Sequence, residues 1–179
     1  MNAKQVIEFW FEELQPKQWW MKDLELDQLI QQPFGDLHAQ ACQCELWEWR
    51  DTPQGRLAEI IVLDQFSRNI YRDTPKAFAS DPLALALSQQ AVQAKDDQSL
   101  NQQQRAFLYM PYMHSESASI HGQAVQLFTD LGNPDNLEFE HKHKAIIDRF
   151  GRYPHRNAIL GRASTDEEIA FLKEPGSSF

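Results

Sequence analysis

The stretch Leu57 to Arg72, LAEIIVLDQFSRNIYR, limits what this chain can fold into more than any other. It holds Ile60, Ile61, Val62, Leu63, Phe66, Ile70 and Tyr71 with no proline or glycine among them. At about 100° per residue, Val62, Leu63, Phe66 and Ile70 cover one half of a helix, and Leu57, Ile60, Ile61 and Tyr71 much of the other. A helix apolar on nearly all sides is buried centrally. Asp64 and Arg68 fall on the second half, one turn apart and with the acid first, the favourable order. Buried charges must be paired or serve a ligand, so this tension is the main functional clue.

The flanking sequence reads as helices throughout. Val6, Ile7, Phe9, Trp10 and Leu14 form an amphipathic first helix stopped near Pro16. Trp19 and Trp20 follow as a lid on the core. Leu24 to Ile30 and Phe34 to Trp49 read as two helices, with Pro33 and Gly35 at their junction. Thr52-Pro53 opens the central helix, and Asp73-Thr74-Pro75 breaks it. Asp81, as N-cap before Pro82, starts a helix that runs to about Ala94. Further helices are expected over Asn101 to Met113, which Pro111 kinks or ends early, and over Ser115 to Leu131, closed by Gly132. Asn133-Pro134 opens another, ending at Gly151, and Pro154 to Leu160 makes a short one. Ser164 and Glu167 are read as a capping box before a last helix, Thr165 to about Lys173. No strand pattern competes, so the expected fold is all-α: eight or more helices in an irregular array of antiparallel hairpins. A single domain over 1–173 is expected, with a frayed tail over 174–179.

At 179 residues the chain can bury a core without disulfides or metal. No apolar run approaches the ~20 residues of a membrane helix, and Lys4 is followed by amphipathic sequence, not a leader's apolar core. Cys42 and Cys44 lie two apart with no second pair to complete a zinc site, and read as reduced thiols. A cytoplasmic location follows as the default. The net charge is -9, yet His141 to Ala163 carries six Lys and Arg against one Asp, which makes it +5 and the remainder -14. Such a chain is poorly suited to nonspecific nucleic-acid binding and well suited to gripping a small anion.

Three blocks resemble a known family: LDQFSRNIYRDTPKAFASDPLALAL, RAFLYMPYMHSES and DRFGRYPHRNAILGRASTDEEIAFL. They are similar to the bacterial domain-of-unknown-function 924 family, with the resemblance spanning Val6 to Leu172. The resemblance implies an all-α fold similar to tetratricopeptide arrays. It implies no established activity, so no catalytic residue is carried over from it. Where that family usually has proline in the first block, this chain has Ser67.

Three constellations can carry chemistry. The first is Asp64, Arg68 and Arg72, either a structural ion-pair set or guanidinium forks open to a carboxylate or phosphate. The second is Arg105, Tyr109, Tyr112, His114 and Glu116, a face that could line a pocket or pack in the core. The third is the corner FGRYPHRN, where Arg152, Arg156 and the amides of His155, Arg156 and Asn157 could form an anion nest. His114, Glu116 and His155 are the acid–base candidates. The ligand-binding candidates are Asp64, Arg68, Arg72, Arg105, Tyr112, Arg152, Arg156 and Asn157. His114, Glu116 and His121 lack the spacing of a metal motif, and no metal or cofactor is expected.

Two functions compete. One is a site for a small anionic molecule, possible acid–base chemistry included. The other is a helical scaffold for a protein or peptide partner, with Trp19, Trp20, Trp47 and Trp49 as its contact patch and the arginines structural.

Overall fold

A computed structural model describes residues 1–178. Among these the structure is helical with no strand, and it divides into two compact units. The first comprises 1–72 and 76–111, and the second 73–75 and 112–179.

The first unit holds α1 (Ala3–Glu8), α2 (Leu24–Cys42), α3 (Pro53–Ile61), α4 (Ser67–Ile70) and α5 (Asp81–Gln93), and α6 (Gln102–Met113) begins there. The expected central helix is α3, one wide turn over Val62–Phe66, and α4. That turn is a π segment, and π segments inside helices are often retained for a purpose. Every residue from Leu57 to Ser67 is buried, so a chain apolar on nearly all sides does become the centre. Phe66 meets Phe9, Trp10 and Phe34 at 6.1, 5.6 and 4.7 Å between ring centroids. Trp19 closes this cluster as expected, its indole N–H donating to the Trp10 carbonyl at 2.9 Å.

Pro33 and Gly35 do not divide a helix. α2 runs through both, and the chain beyond it turns and forms a 3₁₀ segment at Trp47–Asp51. The buried positions Leu26, Asp27, Ile30, Phe34, Leu37, His38 and Ala41 keep an unbroken helical period across Pro33. Pro33 itself faces solvent, where a missing backbone hydrogen bond costs least, and packing overrides its propensity. Thr52 caps α3 at Gly55 N, as expected. Gly55 is obligatory there: a Cβ on it would sit 1.9 Å from the Trp49 carbonyl oxygen. Asp81 begins α5 but Ser80 is its N-cap residue, and the Asp81 carboxylate is drawn away to Arg68.

The second unit contains α7 (Ala118–Leu131), α8 (Pro134–Phe150) and α9 (Asp166–Phe171), with α7 packed on α8. Gly132 and Gly151 end α7 and α8 in left-handed conformation at φ 74° and 69°. Pro154–Arg156 is a single 3₁₀ turn and not a longer helix. The capping box before α9 is Thr165 with Glu168, one residue later than expected. Residues 174–178 form turns in which Ser177 is buried and bonded to the Leu172 carbonyl. Phe179, part of the expected frayed tail, lies outside the described residues.

Glu59 is fully buried on α3, and Arg50 grips it through two bonds of 2.7 Å. Removing one member of a buried pair strands the other, at a cost of about 3 kcal/mol. In urea unfolding, Glu59→Gln is therefore expected to lower stability by roughly that amount. Lys142→Ala, which breaks the exposed Lys142–Glu138 pair, should leave it unchanged.

Candidate functional site

The candidate residues separate by unit. Asp64, Arg68, Arg72 and Arg105 belong to the first, and Tyr112, His114, Glu116, Arg152, His155, Arg156 and Asn157 to the second.

In the first unit the guanidinium forks already face carboxylates. Arg68 donates to both oxygens of Asp81 at 2.9 and 3.0 Å and lies 3.3 Å from Asp64. Asp64 also accepts from Gln65 at 2.6 Å. Arg72 makes a bidentate bond to Asp27 at 2.6 and 2.7 Å, with Asn69 donating to the same carboxylate. Arg105 bonds Tyr109, whose hydroxyl donates to Asp97 at 2.6 Å. Burial, then the Asp97 bond, pushes the Tyr109 hydroxyl up to about 12. Asp27 and Asp97 had no place in the sequence argument, because pairing across tens of residues leaves no local pattern.

The second unit gathers its titratable residues around Tyr153. This tyrosine is fully buried, and His121, His143 and His155 have ring centroids 6.3, 5.8 and 5.5 Å from its own. The Arg156 guanidinium sits 4.6 Å from its centroid. Glu116 accepts the Tyr153 amide at 2.7 Å and a bidentate pair from Arg162 at 2.7 and 2.9 Å. Burial pushes the Glu116 carboxyl up, but the Arg162 bonds and the Tyr153 amide outweigh it and hold it below its ordinary range. Asn157, fully buried, bonds Arg162 and Ser164 at 3.0 Å each. Arg152 is held by Glu168 at 2.7 and 2.8 Å and by the Ala163 carbonyl. Beside that guanidinium the Glu168 carboxyl falls to about 2. The amides expected to form an anion nest are used within the 3₁₀ turn: Arg156 N donates to Tyr153 O and Asn157 N to Pro154 O, both at 3.0 Å.

Two buried histidines show their protonation through their partners. His143 Nδ1 lies 2.7 Å from the Phe139 carbonyl, which can only accept, so Nδ1 carries a proton. Burial lowers the His143 pKa to about 3, with His114, His121 and His155 adding to the fall. His121 Nε2 lies 2.8 Å from the Ser115 carbonyl and therefore also donates. Its Nδ1 meets Glu140 Oε1 at 2.7 Å, both side chains being fully buried. Burial pushes the Glu140 carboxyl up. Its Oε2 has no hydrogen-bond partner among the described residues, which a carbonyl oxygen of the neutral acid tolerates better than a charged one. Among the described residues no three His, Cys, Asp or Glu side chains are grouped to hold a metal ion.

His121, His143, Glu140 and Tyr153 were missed as site members by sequence reasoning. Glu140, His143 and Ile147 repeat at helical spacing, so polar residues on a core face were the available signal.

The fold and these sites define an all-helical protein with salt-bridged arginines and a histidine-rich corner in its second unit. The chain belongs to the family described as bacterial protein of unknown function (DUF924), whose model matches residues 6–176. It is also similar to a solved protein of unknown function from Agrobacterium tumefaciens, with 35% identity, 96% of each chain covered and a TM-score of 0.91. No curated protein matches. No helix among the described residues is long and apolar enough to cross a membrane.

The depressed His143 has a direct pH consequence. As pH falls below 6.5 the unfolded chain takes up this proton and the folded chain does not until about 3. The stability it contributes is full above that window and is lost on descending through it. His143→Phe, which keeps the ring without the charge, is expected to flatten the acid side of a plot of Tm against pH.

Proposed function

We propose that this protein binds a small anionic molecule, carboxylate- or phosphate-bearing, at the histidine-rich corner of the second unit. The observation that carries the reading is the charge and composition of that corner. Arg156 stands there beside Arg162, which is paired with the ionised Glu116, while burial pushes the Glu140 carboxyl up. His114 and His155 are partly open to solvent and have the chemistry to donate or accept a proton. Tyr112, Glu116 and Asn157 complete the candidate set. The Arg68, Arg72, Arg105 and Arg152 forks serve the fold in this reading, because each already holds a carboxylate or a buried phenol. Two free thiols support a reducing, cytoplasmic setting.

A thermal-shift series with phosphorylated metabolites and di- and tricarboxylates tests this. A ligand at ~100 times its Kd adds about 2.7 kcal/mol, roughly 5–10 °C in Tm for a chain of this size. The expected result is a hit that Arg156→Gln or His155→Ala removes and Arg152→Ala retains at a lower baseline Tm. No hit, or a hit that both corner variants keep, would overturn the proposal.

A second reading, a scaffold for a protein partner, has one supporting observation. Trp20, Met21 and Leu24 are 61%, 56% and 67% exposed within five residues of the first unit, and Trp47 is 61% exposed. Trp19 and Trp49 are half-buried and give it no support.

A further inference from the structure

His121 on α7 and Glu140 on α8 are both 0% exposed, and they meet at 2.7 Å through Nδ1 and Oε1. The other ring nitrogen, Nε2, carries a proton, because it faces the Ser115 carbonyl at 2.8 Å. The Tyr153 hydroxyl gives its own proton to the Met113 carbonyl at 2.6 Å and stands 3.2 Å from Nε2 as a second acceptor. Nδ1 and a carboxyl oxygen at 2.7 Å cannot face each other as two lone pairs, so a proton lies between them. On nitrogen it makes an imidazolium beside a carboxylate; on oxygen it makes a neutral ring beside a neutral acid. Either way the pair as a whole is uncharged. It holds one proton more than a neutral imidazole beside a carboxylate. Losing that proton would leave an unmatched negative charge where water does not reach.

The pair is also a fastening. Through Ser115, His121 holds the connection between α6 and α7. Tyr153 holds the same stretch twice, by its hydroxyl at Met113 and by its amide at Glu116. This connection carries His114 and Glu116, and Glu140 ties it through His121 to α8.

We propose that the His121–Glu140 pair is a proton-dependent latch: it keeps residues 113–116 in place while it keeps its shared proton, and the connection opens more readily as pH rises above neutrality. In water a histidine titrates at about 6.5 and a glutamate at about 4.3. Between those values the opened pair also holds one proton, and opening does not depend on pH. Above about 6.5 the opened pair gives its proton up, so closing must take one from solution. The open fraction then rises about tenfold per pH unit. This stability is complete below that value and lost above it, opposite in sign to the contribution of His143. The consequence for anion binding, through His114 and Glu116, rests on the function proposed above; the opening itself needs no ligand.

The other charged and titratable groups around the pair are His141, His143 and Lys144 on α8 and His114 and Glu116 on the connection. Tyr153, His155 and Arg156 face it from the corner. All of them remain when Glu140 is replaced by glutamine, so that variant isolates the pair. A glutamine amide can donate to a neutral Nδ1, which keeps both hydrogen bonds of the ring and removes the extra proton. His38 in the first unit has no such proton to lose. The Ser67 hydroxyl donates to the Leu63 carbonyl at 2.6 Å and accepts from His38 Nε2 at 2.7 Å, and burial lowers the His38 pKa.

The test is amide hydrogen exchange of the full chain without ligand, from about pH 6 to 8.5, with each rate divided by its intrinsic exchange rate. The Ser115 amide, bonded to the Tyr112 carbonyl, and the Tyr153 amide, bonded to Glu116, report opening of the connection. Their protection is expected to fall about tenfold per pH unit above 6.5. The Tyr71 amide, bonded to the Ser67 carbonyl near His38, is expected to keep a constant protection. In Glu140→Gln the protection of Ser115 and Tyr153 should no longer depend on pH. Constant protection at these two amides in the unaltered chain, or the same slope in Glu140→Gln, would refute the latch while leaving the anion reading untouched. If Glu140→Gln does not fold, the unaltered chain decides: a fall at Ser115 and Tyr153 with constancy at Tyr71 supports the latch, and equal slopes at all three refute it.

Discussion

The burial of Leu57 to Ser67 on every side is the constraint on which the rest depends. A backbone run that no solvent reaches cannot carry an unmatched charge, because each would cost several kcal/mol. Glu59 and Asp64 lie in that run and are 0% and 1% exposed. Each is answered by an arginine from the same unit, Arg50 or Arg68. The pairing then propagates outward. Arg68 bridges to Asp81 and so ties the end of the central run to the start of α5. Arg72 ties it to Asp27 on α2. The charged residues that look most functional on a helical wheel are thus the joints of the first unit.

The second unit uses ion pairs too, Arg152 with Glu168 and Arg162 with Glu116, and adds buried histidines to them. His143 is buried as a neutral ring, and burial pushes the Glu140 carboxyl up. A neutral imidazole costs far less to bury than a guanidinium. The price is sensitivity to acid, since those rings can take up protons once the chain unfolds. In the proposed function, the partly open His114 and His155 of the same corner are the groups that would exchange a proton with a bound anion.

Much of the fold was legible in the sequence for identifiable reasons. Thr52, Gly132, Asn133 and Gly151 act locally, through caps and turns, and each stands where the chain's pattern placed it. Pro33 misled because a local breaker sits on the solvent side of a helix whose buried face is continuous. Asp81 misled because a distant arginine competes for its carboxylate more strongly than a backbone amide does. The candidate site was legible only in part. His114, Glu116, His155, Arg156 and Asn157, which the sequence places in two separate constellations, share one unit. The partners that decide their chemistry, Arg162, Glu140 and Tyr153, come from elsewhere in the chain and have no sequence signal beyond being polar where the period calls for apolar.

Both units depend on one feature, that packing fixes the buried rings of His38 and His143 as neutral imidazoles of defined tautomer. Nitrogen-15 correlation spectra of the imidazoles, recorded between about pH 5 and 8, test it most directly. The account predicts that His143 stays neutral with its proton on Nδ1 throughout, and that His38 is neutral at pH 7 with its proton on Nε2. Titration of His143 near 6.5, or His38 with its proton on Nδ1, would contradict it.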